Sequence, residues 1–325
     1  MKSLLSSSVI FLVLIIPTGL FANCGSSSCP IDHHSYVMPG MFRLGVSYET
    51  IKMDKLQIGT GSVNIGSIPL PVHHEELETI NQRTVISADY GVSSRLSFSL
   101  MAPYIVREHS HLEEGTLEHW SFSGLGDVMV HGTYVVSQSM DPDVPYLAVT
   151  TGIKLPTGAT NKVNAEGEDA EVTIQPGSAS YDAVLSLSGR YVAGTMKSLG
   201  GAYNTVPITA SLSARFNGKG KDDCRVGNEL VGSLGSSLVL DPRVAMQLQV
   251  NARYQGHGDM GTTDEFRAYT GGTWVFLTPG VSSEIFASFN FFLFVQIPLY
   301  QNVNGVQQVS STSLQTGISY SGNLF

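Results

Sequence analysis

Residues 283–297 read SEIFASFNFFLFVQI, and no other stretch of the chain narrows its fold so far. The odd positions (Ile285, Ala287, Phe289, Phe291, Leu293, Val295, Ile297) are all apolar. The even positions (Glu284, Phe286, Ser288, Asn290, Phe292, Phe294, Gln296) mix a charge, amides and a hydroxyl with aromatics. Successive side chains on a strand point to opposite faces, so one face is oily throughout and the other can be wet. Strands of soluble sandwiches hold such alternation for roughly five or six residues. This one lasts for about the nine to eleven that cross a bilayer. The pattern recurs along the chain, and the sequence ends on Phe325, the terminal aromatic expected by the barrel assembly machinery. The expectation is an all-β protein: an antiparallel transmembrane β-barrel of about twelve strands in the outer membrane.

The front end fits export. Lys2, an apolar run over residues 9–16, then Pro17, Gly19 and Ala22 follow the order of a secretory signal, with cleavage expected after Ala22. That divides the chain into a signal (1–22), a short periplasmic leader (23–39) and a barrel (40–325). The apolar run is too short to cross as a helix. Mean hydropathy of +0.09 would by itself read as soluble, but a barrel shows every second residue to something other than lipid. Removing the signal removes one base and no acid, leaving 17 − 27 = −10. A chain that acidic is not expected to hold nucleic acid.

Alternating segments fall at residues 40–54, 79–90, 95–109, 122–138, 145–158, 179–193, 204–217, 226–240, 243–255, 265–278, 283–297 and from 308 onward. Tight turns are expected at residues 91–94, 141–143, 241–242 and 279–280, with a longer one at 194–203. Longer polar connections at 55–78, 110–121, 159–178, 218–225, 257–264 and 298–307 read as external loops. The final aromatic is out of phase with Leu314, Ile318 and Tyr320, so a bulge at residues 321–323 is expected.

Parity places one set of polar residues inward: Arg43, Glu49, Arg83, Asp89, Arg95, Asp127, His131, Lys154, Asp182, Arg190, Arg215, Glu229, Arg253, Glu265, Arg267 and Glu284. A charge on the lipid face would cost about 2–4 kcal/mol at mid-bilayer. These residues either pair to fill the bore or line a wet conduit, and a barrel of about twelve strands is wide enough for both together.

The leader carries Cys24 and Cys29, followed by His33 and His34. An oxidising compartment points to a Cys24–Cys29 disulfide. A soft-metal or redox site on Cys24, Cys29, His33 and His34 stays open, as do free thiols. Cys224 falls in an external loop and is expected unpaired. The stretches 73–76 and 108–119 combine imidazoles with carboxylates, readable as solvated loops or as divalent-metal capture. No cofactor is expected. No serine–histidine pair shares the oily face, and no phosphate loop, zinc-protease helix or dinucleotide fingerprint occurs, so no enzyme is expected.

The segments SGLGDVMVHGTYVV from Ser123, PYLAVTTGIKLPTGAT from Pro145 and QPGSASYDAVLSLSGRY from Gln175 resemble the outer-membrane transporter family named after the meta pathway of phenol degradation. The matching residues are Gly124, Leu125, Gly126, Asp127 and Val128, then Lys154, Leu155, Pro156, Thr157 and Gly158, then Gly177, Ser178 and Tyr181. The resemblance implies a barrel passing small solutes, with hydrophobic aromatics indicated by the family name alone. The competing expectation is a non-conducting scaffold that docks a periplasmic redox or metal-handling partner through residues 24–34. Outer-membrane lipid, a small solute and the assembly machinery are the other partners expected.

Overall fold

The computed structural model describes residues 37–64, 74–113, 116–138, 144–163, 167, 169–197, 201, 203–241, 243–260, 267–286 and 288–323. The expected signal cleavage, the Cys24–Cys29 pair, His33, His34, Glu265 and Phe325 lie outside them. The strands are β1 (Met41–Gly59), β2 (Gly61–Val63), β3 (His74–Gly91), β4 (Leu96–Glu113), β5 (Thr116–Leu125), β6 (Met129–Ser137) and β7 (Tyr146–Lys154). They continue as β8 (Asp182–Lys197), β9 (Tyr203–Phe216), β10 (Cys224–Arg225), β11 (Glu229–Asp241), β12 (Val244–Gln255), β13 (Asp259–Met260), β14 (Gly272–Phe286) and β15 (Phe289–Asn323).

Each long strand pairs antiparallel with its neighbour, and β15 pairs back to β1, closing the sheet on itself. β2 and β5 extend the wall beside β1 and β4, while β10 and β13 form a separate ribbon. The ring holds eleven elements, but β15 pairs with β14 as far as Val303 and with β1 from Val303 onward. Its halves face each other: Ser321 N–H donates to the Ser288 carbonyl, and the Gln301 amide reaches Ser310. Gly305, at φ +59°, turns the chain between them. The wall is therefore crossed 10 + 2 = 12 times within the described residues. No helix there is long and apolar enough to cross a membrane; the strands cross instead.

The outer face explains why this closure suits lipid. Leu44, Val46, Ile86, Leu100, Val130, Leu185, Leu234, Leu248 and Ile318 project from it, exposed, while their sequence neighbours are turned in. Aromatics bracket this band. Tyr90, Phe98, Tyr134, Tyr191 and Tyr320 mark one rim, and Tyr48, Tyr104, Tyr181, Phe216 and Tyr254 the other. The strands are unequal in height. β6 and β7 have nine residues each, enough to cross, whereas β1 has 19 and β3 and β4 have 18. One side of the barrel thus stands well above the membrane.

Several expectations are corrected. β14 runs straight through Pro279 and Gly280 to Phe286, and Ser288, at φ +78°, precedes the start of β15 at Phe289. Residues 283–297 are therefore the end of one strand and the start of the next. Most of the described residues in the stretches 55–78, 110–121 and 298–307 are strand, because the tall sheet continues above the lipid. Residues 122–138 are broken at 126–128 into β5 and β6. No bulge occurs at 321–323, where Met41 to Leu44 pair in unbroken register with Asn323 to Tyr320.

Candidate functional site

Alternation turns a band of charged residues inward, and strand register then decides who meets whom. Arg43 lies directly opposite Asp89, and Glu49 opposite Arg83, with ion pairs of 2.9 and 2.6 Å. Lys154 ends β7 opposite Asp182, which begins β8, and their charges meet at 2.6 Å. Further round, Glu229 receives Arg253 at 2.9 Å and faces Arg215 at 3.8 Å. Arg253 also stacks over the Trp274 ring at 4.9 Å. Directly opposed residues on neighbouring strands are close enough for such contacts without strain. Glu49, Asp89, Asp127, His131, Lys154, Asp182, Arg215, Glu229 and Arg253 are all buried, with Asp89 beside Tyr90 near one rim and Asp182, Arg215 and Arg253 beside Tyr181, Phe216 and Tyr254 near the other.

Four of the expected inward residues lie elsewhere. Arg95 is exposed in the turn before β4, since the hairpin ends one residue later than the alternation indicated. Arg190 lies exposed midway along β8, beside Tyr191 at the rim, its guanidinium 5.8 Å above the Tyr146 ring. Glu284 is exposed at the end of β14, and Arg267 is exposed in the connection before that strand. All four sit at rims or loops, where water reaches a charge.

Asp127 organises the outer side of the belt. Its Oδ1 accepts the Gly158 N–H at 2.9 Å; its Oδ2 accepts the Ser178 N–H at 2.9 Å and hydroxyl at 2.6 Å. Lys154 pairs with it at 3.2 Å and also donates to the hydroxyls of Ser178 and Ser180. Val128 N–H donates to Thr157 Oγ1, and Leu155 N–H returns to the Val128 carbonyl. A Cβ on Gly177 would come within 2.5 Å of Gly158, so both glycines are needed for the strands of the loop to touch. The three quoted sequence segments thus meet at one point, where residues 155–159 and 177–180 are knitted to the gap between β5 and β6.

That loop folds back over the mouth. Ala170 and Ile174 pack against Trp120 and Phe122, and the Thr173 carbonyl accepts from Arg107. Gln175, 1 % exposed, satisfies itself on Lys162 and Ala170. Lys221 reaches the Thr160 carbonyl and Asp169, tying in the following loop. A cavity of about 20 Å³ remains between the two loops, lined among others by Lys154, Asp182, Asn217 and Cys224. Cys224 is buried there and free. Burial, with Asp222 and Asp259 nearby, pushes its thiol up to about 11.

Sequence reasoning missed the apolar part of the inner face. Val231, Trp274, Phe276, Val303 and Val309 form one buried cluster, and Trp120 with Phe122 anchors another. The signal existed: Trp274 and Phe276 share parity with Glu284 once no turn is placed at 279–280. On the other side of the belt, hydroxyls and amides pair around the wall: Thr133 with Thr150, Ser186 with Ser213, Ser211 with Ser233 and Asn251 with Thr278. The stretch 108–119 is not a solvated loop. His109 and His111 are buried, their rings edge-on to Trp120, with His109 bonded to Thr79 and 3.4 Å from Glu76. Among the described residues, no group of three or more His, Cys, Asp or Glu could hold a metal ion.

No family model matches the chain. No curated protein matches it either. Among solved structures, the chain is similar to an outer-membrane channel from Pseudomonas putida F1, at 12% identity and a TM-score of 0.60, covering 90% of this chain and 100% of that one. The transport unit of the autotransporter AIDA-I from Escherichia coli aligns over 92% of this chain and 94% of its own, at 9% identity and a TM-score of 0.49. The toluene transporter TodX of Pseudomonas putida aligns at 11% identity and 0.40, covering 87% and 90%. Identities this low make the first likeness one of fold: a closed outer-membrane barrel.

Proposed function

We propose that the chain is an outer-membrane channel for small solutes, opened and closed by the loop 155–181. The observation that carries this reading is how the bore is shut. The seal on the outer side is a loop latched through one carboxylate, Asp127, by hydrogen bonds and an ion pair that can be broken and remade. A barrel serving only as a scaffold needs no releasable cap. The inner face sets aromatic surface beside polar groups: Trp274 lies opposite Arg253 and Phe276 opposite Asn251, with paired hydroxyls further round the wall. That juxtaposition suits a solute with an apolar ring and a polar group. It agrees with the resemblance to the meta-pathway family, whose matching residues are the ones that build the latch.

Planar-bilayer recording of the purified chain is the test. The wild type is expected to open rarely, and Asp127→Ala to open often and for longer, because the loop loses its charged anchor. A silent bilayer for both, with normal insertion, sinks the channel reading.

A further inference from the structure

Within the belt, the Arg215 side chain on β9 is 1% exposed, and its Nε, Nη1 and Nη2 atoms are buried with no hydrogen-bond acceptor. The carboxylate opposite, Glu229, stands off at 3.8 Å because its other oxygen is held by Arg253 at 2.9 Å. The remaining acid in the field of Arg215 is Asp182. Asp182 is already engaged by Lys154 at 2.6 Å, the Ser180 hydroxyl at 2.8 Å and the Gly218 N–H at 3.1 Å. A guanidinium fork buried with no acceptor is costly, and native structures resolve such groups with a bound water or ion. A carboxylate meets the fork through two parallel bonds; a water cannot.

The surroundings select which carboxylate. Arg253 pairs across strands with both Val231 and Trp274, which belong with Phe276 to the buried apolar cluster on the inner face. On the outward side Asn217, just past the end of β9 and two residues from Arg215, lines the small cavity together with Lys154 and Asp182. Arg215 thus lies between the residues of this cavity, through Asp182, and the apolar cluster, through Glu229 and Arg253. We infer that Arg215 binds the carboxylate of a monoanionic aromatic acid, whose ring lies toward Trp274 and Phe276. This rests on the channel reading and names its solute class.

Titration calorimetry of the full chain in detergent, with sodium benzoate and with benzyl alcohol as its uncharged counterpart, tests the site apart from transport. Wild-type protein is expected to bind benzoate in preference to benzyl alcohol. In Arg215→Gln, benzoate binding is expected to weaken about tenfold or more, the usual loss for a hydrogen bond to a charged group. Arg215→Lys, which keeps the charge and loses the fork, is expected to fall between, and it serves as the probe if Arg215→Gln does not fold. Equal binding of the two solutes by wild-type protein overturns the inference and leaves Arg215 merely hydrated. Uptake into proteoliposomes then separates the two readings. Benzoate bound but not carried keeps the site and sinks the channel; both solutes carried without preference keeps the channel and sinks the site.

Discussion

Lys154 shows how much one residue holds in place. It sits between Asp127 and Asp182, each buried, and its removal would leave two carboxylates facing each other away from water. Breaking a buried ion pair from one side costs about 3–5 kcal/mol, because the partner stays behind unpaired. Lys154→Ala should therefore lower the free energy of folding into phospholipid vesicles by that order, and Lys154→Ala with Asp182→Asn should recover part of it. A loss under about 1 kcal/mol, the range of a surface pair, would mean that water reaches the site. Cys224 makes a separate prediction by way of pH. With its thiol raised to about 11, only about one molecule in a thousand carries the thiolate at pH 8. Alkylation at pH 8 should be slow in the folded barrel, rise with pH and become fast on unfolding; rapid labelling of the native protein at pH 8 would contradict the burial seen here.

At the scale of strands, what the sequence made legible was parity, and what it concealed was where strands stop. Long uninterrupted alternation, as in β1 and β3, put Arg43, Glu49, Arg83 and Asp89 on one face, and only the strand register brought Glu49 to Arg83 and Arg43 to Asp89. Turn chemistry misled where glycine and proline serve the sheet itself. Pro103 and Gly126 meet at the break between β5 and β6, where Gly126 N–H donates to the Pro103 carbonyl. Proline is tolerated there because the ladder is already interrupted. Pro279 likewise falls in a gap of the β14–β15 ladder, between Leu277 paired with Ile297 and Gly280 paired with Phe294. Gly280 is small for a packing reason: a Cβ there would sit 1.9 Å from the Phe294 ring. Gly280→Val should cost about 1–3 kcal/mol by overpacking. Adding Phe294→Ala should make the pair less costly than the sum of the single changes, since each relieves the other's clash. Strict additivity would show that the ring does not lie over the glycine. The inward course of residues 155–181 was not legible at all. Its latch joins positions far apart in sequence, and no periodicity records a contact between loops.

The whole molecule is set in the membrane by the match between its outer face and the lipid. Along β8, Tyr181 and Tyr191 flank an unbroken series of outward Ala183, Leu185, Leu187 and Gly189. Ten residues (191 − 181) of tilted strand cover roughly 25 Å, the height of the apolar band in barrels of this kind. Leu185, 48% exposed and near the middle, should then lie close to the bilayer midplane. This fixes how a charge must behave at each level. Leu185→Arg should destabilise the barrel by about 2–4 kcal/mol, while Tyr181→Arg and Tyr191→Arg should lose about 0–1 kcal/mol from the charge, because water and headgroups are within reach. The inward neighbour Ser186 bonds to Ser213 and touches no lipid, so Ser186→Ala should have an effect independent of lipid thickness. Folding free energies measured in vesicles of two hydrocarbon thicknesses separate these cases. The Leu185→Arg penalty should grow in the thicker bilayer and the Ser186→Ala effect should not. Equal penalties at positions 181, 185 and 191 would remove the membrane placement, and with it the assignment of inside and outside on which the closed bore depends.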